Sequence, residues 1–222
     1  WHIMNTFHKH GVREFIICLG YKGEKIREYF VNEYFFNASA LQIDLKNGSV
    51  NALKPRSPDW NITLVDTGAN SMTGGRLKRV EEYLVGEKEF FLTYGDGLTD
   101  LNIKDLYKTH TNSGKLATVT AVQNEGRFGS LSINDENTVD SFIEKAKGDG
   151  NWINGGYFVL NSQVLSLINE DDTVWEDEPL KNLSKDKKLA AHKHTGFWYA
   201  MDSLRDKQKL DELWNTGKAP WK

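Results

Sequence analysis

The chain has 222 residues, 39% of them hydrophobic and 27% charged, a length and balance that suit one soluble α/β domain with a sizeable core. Its 28 basic and 31 acidic residues leave a net charge of -3, so composition gives no reason to expect a nucleic-acid partner. No apolar run approaches the roughly 20 residues of a membrane span, and the lone Cys18 excludes a disulfide framework, so a cytoplasmic protein with no membrane partner is expected.

Trp1, His2, Ile3 and Met4 open the chain inside an amphipathic helix that also carries Phe7, so the chain is expected to begin partway through a larger pattern. Residues 15–19 read as a strand holding Cys18 as a small core residue, followed by a turn at Gly20, Tyr21, Lys22 and Gly23. Ile26, Tyr29 and Phe30 then recur at helical spacing. Residues 43–45 and 63–67 are further strand candidates, separated by Asn47-Gly48 and a loop with Pro55 and Pro58. This alternation of strand and helix is the signature of parallel βαβ units.

Residues 67–79 place a loop rich in glycine and hydroxyls, with Ser71, Gly74, Gly75 and Arg76, directly before a helix marked by Leu77, Val80 and Leu84. Free backbone N–H groups and the positive end of the helix dipole suit a phosphate or a base and sugar, with Arg76 able to fork onto an anion. A plain helix-capping loop uses the same residues, and the lysine of a Walker loop is absent.

Phe90, Phe91, Leu92 and Thr93 form an apolar strand that runs into Tyr94, Gly95, Asp96 and Gly97. In open α/β sheets the ligand crevice lies beyond the carboxyl ends of the strands, so Asp96 is a candidate ligand of a hard cation such as Mg2+. Ile103, Leu106, Tyr107 and His110 fall on one helical face, and residues 116–122 are rich in β-formers. Short strands at 131–133, 139–143 and 157–160 suggest an antiparallel flap or a mixed sheet edge. Between them lie an arginine turn at Arg127, the cations Lys145 and Lys147, and the bare backbone of Asn154, Gly155 and Gly156, suited to sugar hydroxyls.

Near the chain's end an aromatic strand, 197–201, runs into Asp202, so two carboxylates at two strand ends can meet at one cation. Ser203 and Asp206 match a capping box, Leu210, Leu213 and Trp214 form the apolar stripe of the following helix, and Gly217 with Pro220 closes it. Aromatics at Trp214 and Trp221 are candidates for an assembly surface. The histidines have no zinc-site spacing, and no Gly-x-Ser-x-Gly elbow occurs.

Together these segments resemble the sugar-phosphate nucleotidyltransferase family, and within it the cytidylyl branch. The likeness runs through Leu64 to Gly68, Ser71 to Arg79, Tyr94 to Gly97, Arg127 to Gly129, Lys147 to Gly150, Ile153 to Gly156, Met201 to Lys207 and Gly217 to Lys222. It implies a Rossmann-like α/β fold with a mixed, mainly parallel central sheet and a small antiparallel flap. The implied reaction joins CTP to α-D-glucose 1-phosphate, giving CDP-glucose and pyrophosphate for bacterial surface polysaccharide such as O-antigen. A non-catalytic sugar-nucleotide-binding relic or assembly partner, or a uridylyl- or adenylyltransferase for a related sugar phosphate, is the alternative. The resemblance implies Mg2+ on Asp96 and Asp202, with Lys145 beside them in catalysis. It implies nucleotide contacts from Ser71, Gly74, Arg76 and Gly95, and sugar-phosphate contacts from Arg127, Lys147, Asn154, Gly155 and Gly156. The family opens with a strand and a Gly-Gly-x-Gly-Thr-Arg type loop, roughly 30 to 35 residues that this chain is expected to lack. Ala146 stands where the family has proline between the two lysines, and a homo-oligomer is expected.

Overall fold

The computed structural model describes residues 1–55, 58–123, 130–143 and 151–222, so the positions of Arg127, Lys145 and Lys147 lie outside the described residues. In chain order the elements begin with helix α1 (His2–His8), strand β1 (Glu14–Leu19), helix α2 (Gly23–Phe36) and strands β2 (Ala38–Asp44), β3 (Ser49–Pro55) and β4 (Asn61–Asp66). Helix α3 (Thr73–Arg79), strands β5 (Glu89–Thr93) and β6 (Gly97–Thr99), helix α4 (Ile103–Ser113) and strand β7 (Ala117–Val122) follow. The remainder comprises β8 (Ser130–Ile133), β9 (Val139–Ile143), β10 (Ile153–Asn161), α5 (Glu178–Lys185), β11 (Leu189–His194), β12 (Trp198–Ala200) and α6 (Leu204–Asn215). They fall into two compact units, one of Trp1–Gly11, Glu87–Val164 and Asn182–Lys222, the other of Val12–Gly86 and Leu165–Lys181.

The first unit is built on a mixed sheet in the order β11-β7-β10-β5. Strands β7 and β11 are parallel, while β10 runs antiparallel to both β5 and β7. Residues 157–160 therefore belong to an inner strand, not to the flap or sheet edge expected from the sequence. The reason is burial: Tyr157, Phe158, Val159 and Leu160 are at most 1% exposed, so both faces of β10 are covered. The flap itself is the β8–β9 hairpin.

Helix α4 is held at its N-terminus by Asn102, whose side chain accepts from the backbone N–H groups of Lys104 and Asp105, and ends at Gly114 in the left-handed conformation. Its face buries Ile103, Leu106 and His110, whereas Tyr107 stays 42% exposed because it lies at the margin of that face. Burial holds the His110 imidazole below its usual pKa, against the smaller opposing pull of Glu89.

Helix α6 has the capping box read from the sequence: the Ser203 hydroxyl accepts from the Asp206 N–H, and the Asp206 carboxylate accepts from the Ser203 N–H. Asp206 also accepts from the Tyr199 hydroxyl at 2.9 Å, which ties the start of α6 to β12. Leu210 packs with Ala219 and Trp221 against Leu98, Phe197, Tyr199, Leu213 and Trp214. Trp221 is 3% exposed, so the aromatic expected on an assembly surface is part of this unit's own core. Its backbone carbonyl accepts from Lys9 and its indole N–H donates to His2, so the tail is fastened to α1. Burying a side chain of that size contributes about 2–3 kcal/mol.

In the second unit β1 and β4 pair in parallel, in register from Glu14 opposite Asn61 to Leu19 opposite Asp66. Strands β2 and β3 form an antiparallel hairpin turned at Asn47-Gly48, with Gly48 at positive φ. Cys18 is half-buried on β1, and burial raises the pKa of its thiol, which suits a packing residue more than a nucleophile.

Candidate active site

Strands β6 and β12 form a separate two-stranded ribbon in the first unit, with Gly97 opposite Ala200, Leu98 opposite Tyr199 and Thr99 opposite Trp198. This register puts the residue before β6 beside the residue after β12: the Met201 N–H donates to the Asp96 carbonyl at 2.9 Å. Asp96 and Asp202 thus stand at the same end of one ribbon and line one cavity of roughly 230 Å3. Thr93, Tyr94, Gly97, Asn154, Gly155, Gly156, Tyr157, Trp198 and Ala200 complete that lining, so the two carboxylates and the glycine pair are brought together as the sequence suggested.

Among the described residues, no cation or hydrogen-bond donor partners either carboxylate side chain, and both residues are exposed. No group of three or more His, Cys, Asp or Glu side chains could hold a metal by itself among the described residues. Two carboxylates with open positions fit a hard divalent cation whose other ligands are substrate phosphates and water. Gly95, between Tyr94 and Asp96, has nothing within 4 Å of the position a Cβ would take, which leaves its backbone open to a ligand.

The opposite wall is a bulge in β10, where the register against β7 shifts between Asn154 and Phe158. A Cβ on Gly155 would lie 2.8 Å from Val122 Cγ1, and one on Gly156, at φ +75°, would lie 2.6 Å from the Tyr94 ring. Glycine is required at both places by packing as well as by any ligand. The Asn154 amide turns back on the bulge: its oxygen accepts from the Gly156 N–H at 2.8 Å and its nitrogen donates to the Tyr94 hydroxyl at 3.3 Å. Desolvation pushes the Tyr157 phenol far above its ordinary pKa, with the nearby negative charge of Asp96 adding to it. Tyr157 consequently stays a neutral donor, to the Gly97 carbonyl at 2.7 Å.

Ser71, Gly74 and Arg76 belong to the second unit. The free N–H groups expected at the start of α3 are occupied there: Met72 donates to the Asp171 carbonyl, and Gly74 and Gly75 both donate to the Thr173 carbonyl. The guanidinium of Arg76 donates to the carbonyls of Leu19 and Gly68 and to the Thr67 hydroxyl, which fixes the ends of β1 and β4 in place of an anion. Arg79 forks onto the Asp171 carboxylate, and that hydrogen bonding, with the guanidinium charge adding to it, lowers the pKa of Asp171. Ser71 is nearly buried, with its hydroxyl beside Gly68.

Tyr94, Tyr157 and Trp198 were not singled out from the sequence as site residues. The signal available was proximity in sequence: Tyr94 is two residues from Asp96, Tyr157 follows Gly156, and Trp198 opens the short strand that leads into Asp202.

An α/β unit whose paired strand-end carboxylates and glycine bulge share a cavity has the arrangement suited to handling phosphate esters with a divalent metal. Residues 1–206 match the family model described as nucleotidyl transferase, and the chain belongs to the nucleotidyl transferase family, whose members generally use a divalent metal ion. A glucose-1-phosphate cytidylyltransferase of Salmonella typhi is 52% identical over 222 residues, spanning 100% of this chain and 86% of that protein. A probable glucose-1-phosphate cytidylyltransferase of Bacillus subtilis is 42% identical over 224 residues, again with 100% and 86% covered. Among solved structures, HddC from Yersinia pseudotuberculosis superposes with a TM-score of 0.63 at 20% identity, over 95% of this chain and 83% of that one, which establishes likeness of fold. The resemblance to the cytidylyl branch and the Rossmann-like mixed α/β fold are both borne out.

Proposed function

We propose that this chain transfers the cytidylyl group of CTP to α-D-glucose 1-phosphate, giving CDP-glucose and pyrophosphate. The observation that carries the reading is the convergence of Asp96, Asp202 and the Asn154–Gly156 bulge on one cavity, in a chain 52% identical to a glucose-1-phosphate cytidylyltransferase. A phosphate oxygen of glucose 1-phosphate attacks the α-phosphorus of CTP in line, forming one P–O bond while the bond to pyrophosphate breaks. No protein nucleophile is required, so the chain's task is to position two anions that repel each other.

Asp96 and Asp202 would hold Mg2+, which supplies charge neutralisation on the phosphates when bound. The Asn154, Gly155 and Gly156 backbone is the floor for the sugar phosphate, with Arg127 and Lys147 assigned to its phosphate and Lys145 to charge developing in the transfer. Gly95 and Ser71 would contact the nucleotide, while Gly74 and Arg76 act through the loop they shape. The chain would assemble into a homo-oligomer, and light scattering measures it. Cytoplasmic location and a role in surface polysaccharide follow from the substrates proposed.

The test is pyrophosphate release by the purified chain with Mg2+, glucose 1-phosphate and each of CTP, UTP, ATP and dTTP. Release that prefers CTP supports the reading; release favouring another nucleotide, or none with any, defeats it.

A further inference from the structure

The ribbon that carries both carboxylates has only three registered pairs, a length that is marginal by itself, and it forms its own sheet. Two side-chain hydrogen bonds tie it to β10. The Tyr157 hydroxyl donates from β10 to the Gly97 carbonyl on β6, and the Trp198 indole N–H donates from β12 to the Gly155 carbonyl, each at 2.7 Å. The second bond is unusual in what it joins. Gly155 lies in the bulge, with no room for a side chain, and Trp198 lies on the ribbon strand that leads into Asp202. Trp198 is the first residue of β12, and Phe197 just before it is fixed by Asp100, which accepts from the Phe197 N–H at 2.8 Å, and by Thr99, which donates to the Phe197 carbonyl at 2.8 Å. Past the other end of β12 the Met201 N–H donates to the Asp96 carbonyl. With the ribbon held at both ends, the indole bond fixes the bulge against it, and with that the spacing between Asp202 and the bulge.

We propose that Trp198 is a positioning residue: through the Gly155 carbonyl it holds the glycine bulge at the distance from Asp202 that the transfer requires. This rests on the cytidylyltransferase reading, since it assigns the bulge to the sugar phosphate. A misplaced acceptor loses near-attack geometry although both ends of the site remain present. The effect falls on glucose 1-phosphate and not on the nucleotide, because the bond touches only the bulge side of the cavity.

Trp198→Phe keeps the aromatic bulk and removes the N–H. Its KM for glucose 1-phosphate is expected to rise about fivefold to tenfold, the worth of one hydrogen bond, with the KM for CTP held within about twofold. An unchanged KM for glucose 1-phosphate, or an equal rise in both constants, overturns the proposal. A second measurement does not depend on turnover. The chain's seven tryptophans give seven indole N–H resonances, and that of Trp198 is assigned by its loss in Trp198→Phe. Glucose 1-phosphate added to the unaltered chain is expected to shift that resonance, and a resonance that stays in place overturns the proposal. If the unaltered chain releases no pyrophosphate, the functional reading fails and the resonance alone decides the role of Trp198.

Discussion

Asp96 and Asp202 face a cavity without a hydrogen-bond donor or cation on their carboxylates among the described residues, whereas Arg76 in the other unit directs its guanidinium at Leu19, Thr67 and Gly68. Both regions hold charged side chains at strand ends close to glycines. They differ in whether the chain supplies the charge with partners. A saturated polar group is part of the architecture, and its loss is felt as stability. A group left with open positions is available to a ligand, and its loss is felt as activity.

That contrast is sharpest in the carboxylates. Asp96→Asn is expected to lower pyrophosphate release by roughly 100-fold or more, while thermal unfolding stays at or above that of the unaltered chain because one of two neighbouring negative charges is gone. Retention of activity within tenfold, read in a steady-state assay, would break the comparison at its first term. The glycine loop predicts the reverse. A Cβ on Gly75 would sit 2.1 Å from the Asp171 carbonyl oxygen, so Gly75→Ala must displace backbone, and urea unfolding should show a loss of at least about 1–3 kcal/mol.

Arg76→Lys probes the same loop more gently. Lysine cannot reproduce the guanidinium's bonds to Leu19, Thr67, Gly68 and Ala69, and a loss of about 1–3 kcal/mol in stability is expected. A rise in the KM for CTP with stability unchanged would instead make Arg76 a ligand contact and erase the distinction drawn here. The smallest effect concerns His110, whose pKa is lowered by burial. The unfolded chain then binds the proton more tightly than the folded one, so stability is full above the unfolded value near 6.5 and declines as pH falls through it toward the lowered folded value. Thermal unfolding between pH 7.5 and pH 5.5 should show that decline, and His110→Asn should reduce it without abolishing it, because burial lowers the pKa of His2, His10 and His192 as well.

The sequence made local features legible. The capping box at Ser203 and Asp206 and the apolar face of α4 are set within a few residues, and both formed as read. The two aspartates were legible because strand ends are where α/β sheets present ligands. What escaped was decided by contacts distant in sequence. Trp221 is buried by His2, Phe197 and Trp214, none of which a tail motif announces. Residues 157–160 form a run of apolar side chains, and only pairing to β5 and β7 distinguishes an inner strand from a flap. The donors at the start of α3 looked free because Asp171 and Thr173, their acceptors, lie about a hundred residues downstream.

The packing of α1 against residues far along the chain has a consequence for folding. Lys9 and His2 bind Trp221 across 212 and 219 residues of sequence, and Phe7 stacks on Tyr157, so α1 cannot bury Met4 and Phe7 through local contacts alone. Contacts across such long sequence separations make the closing step slow. The ribbon strands β6 and β12 pack through Leu98 and Tyr199 on the Leu210 and Trp221 cluster, so the wall behind the two carboxylates is finished only when that late, non-local step is complete.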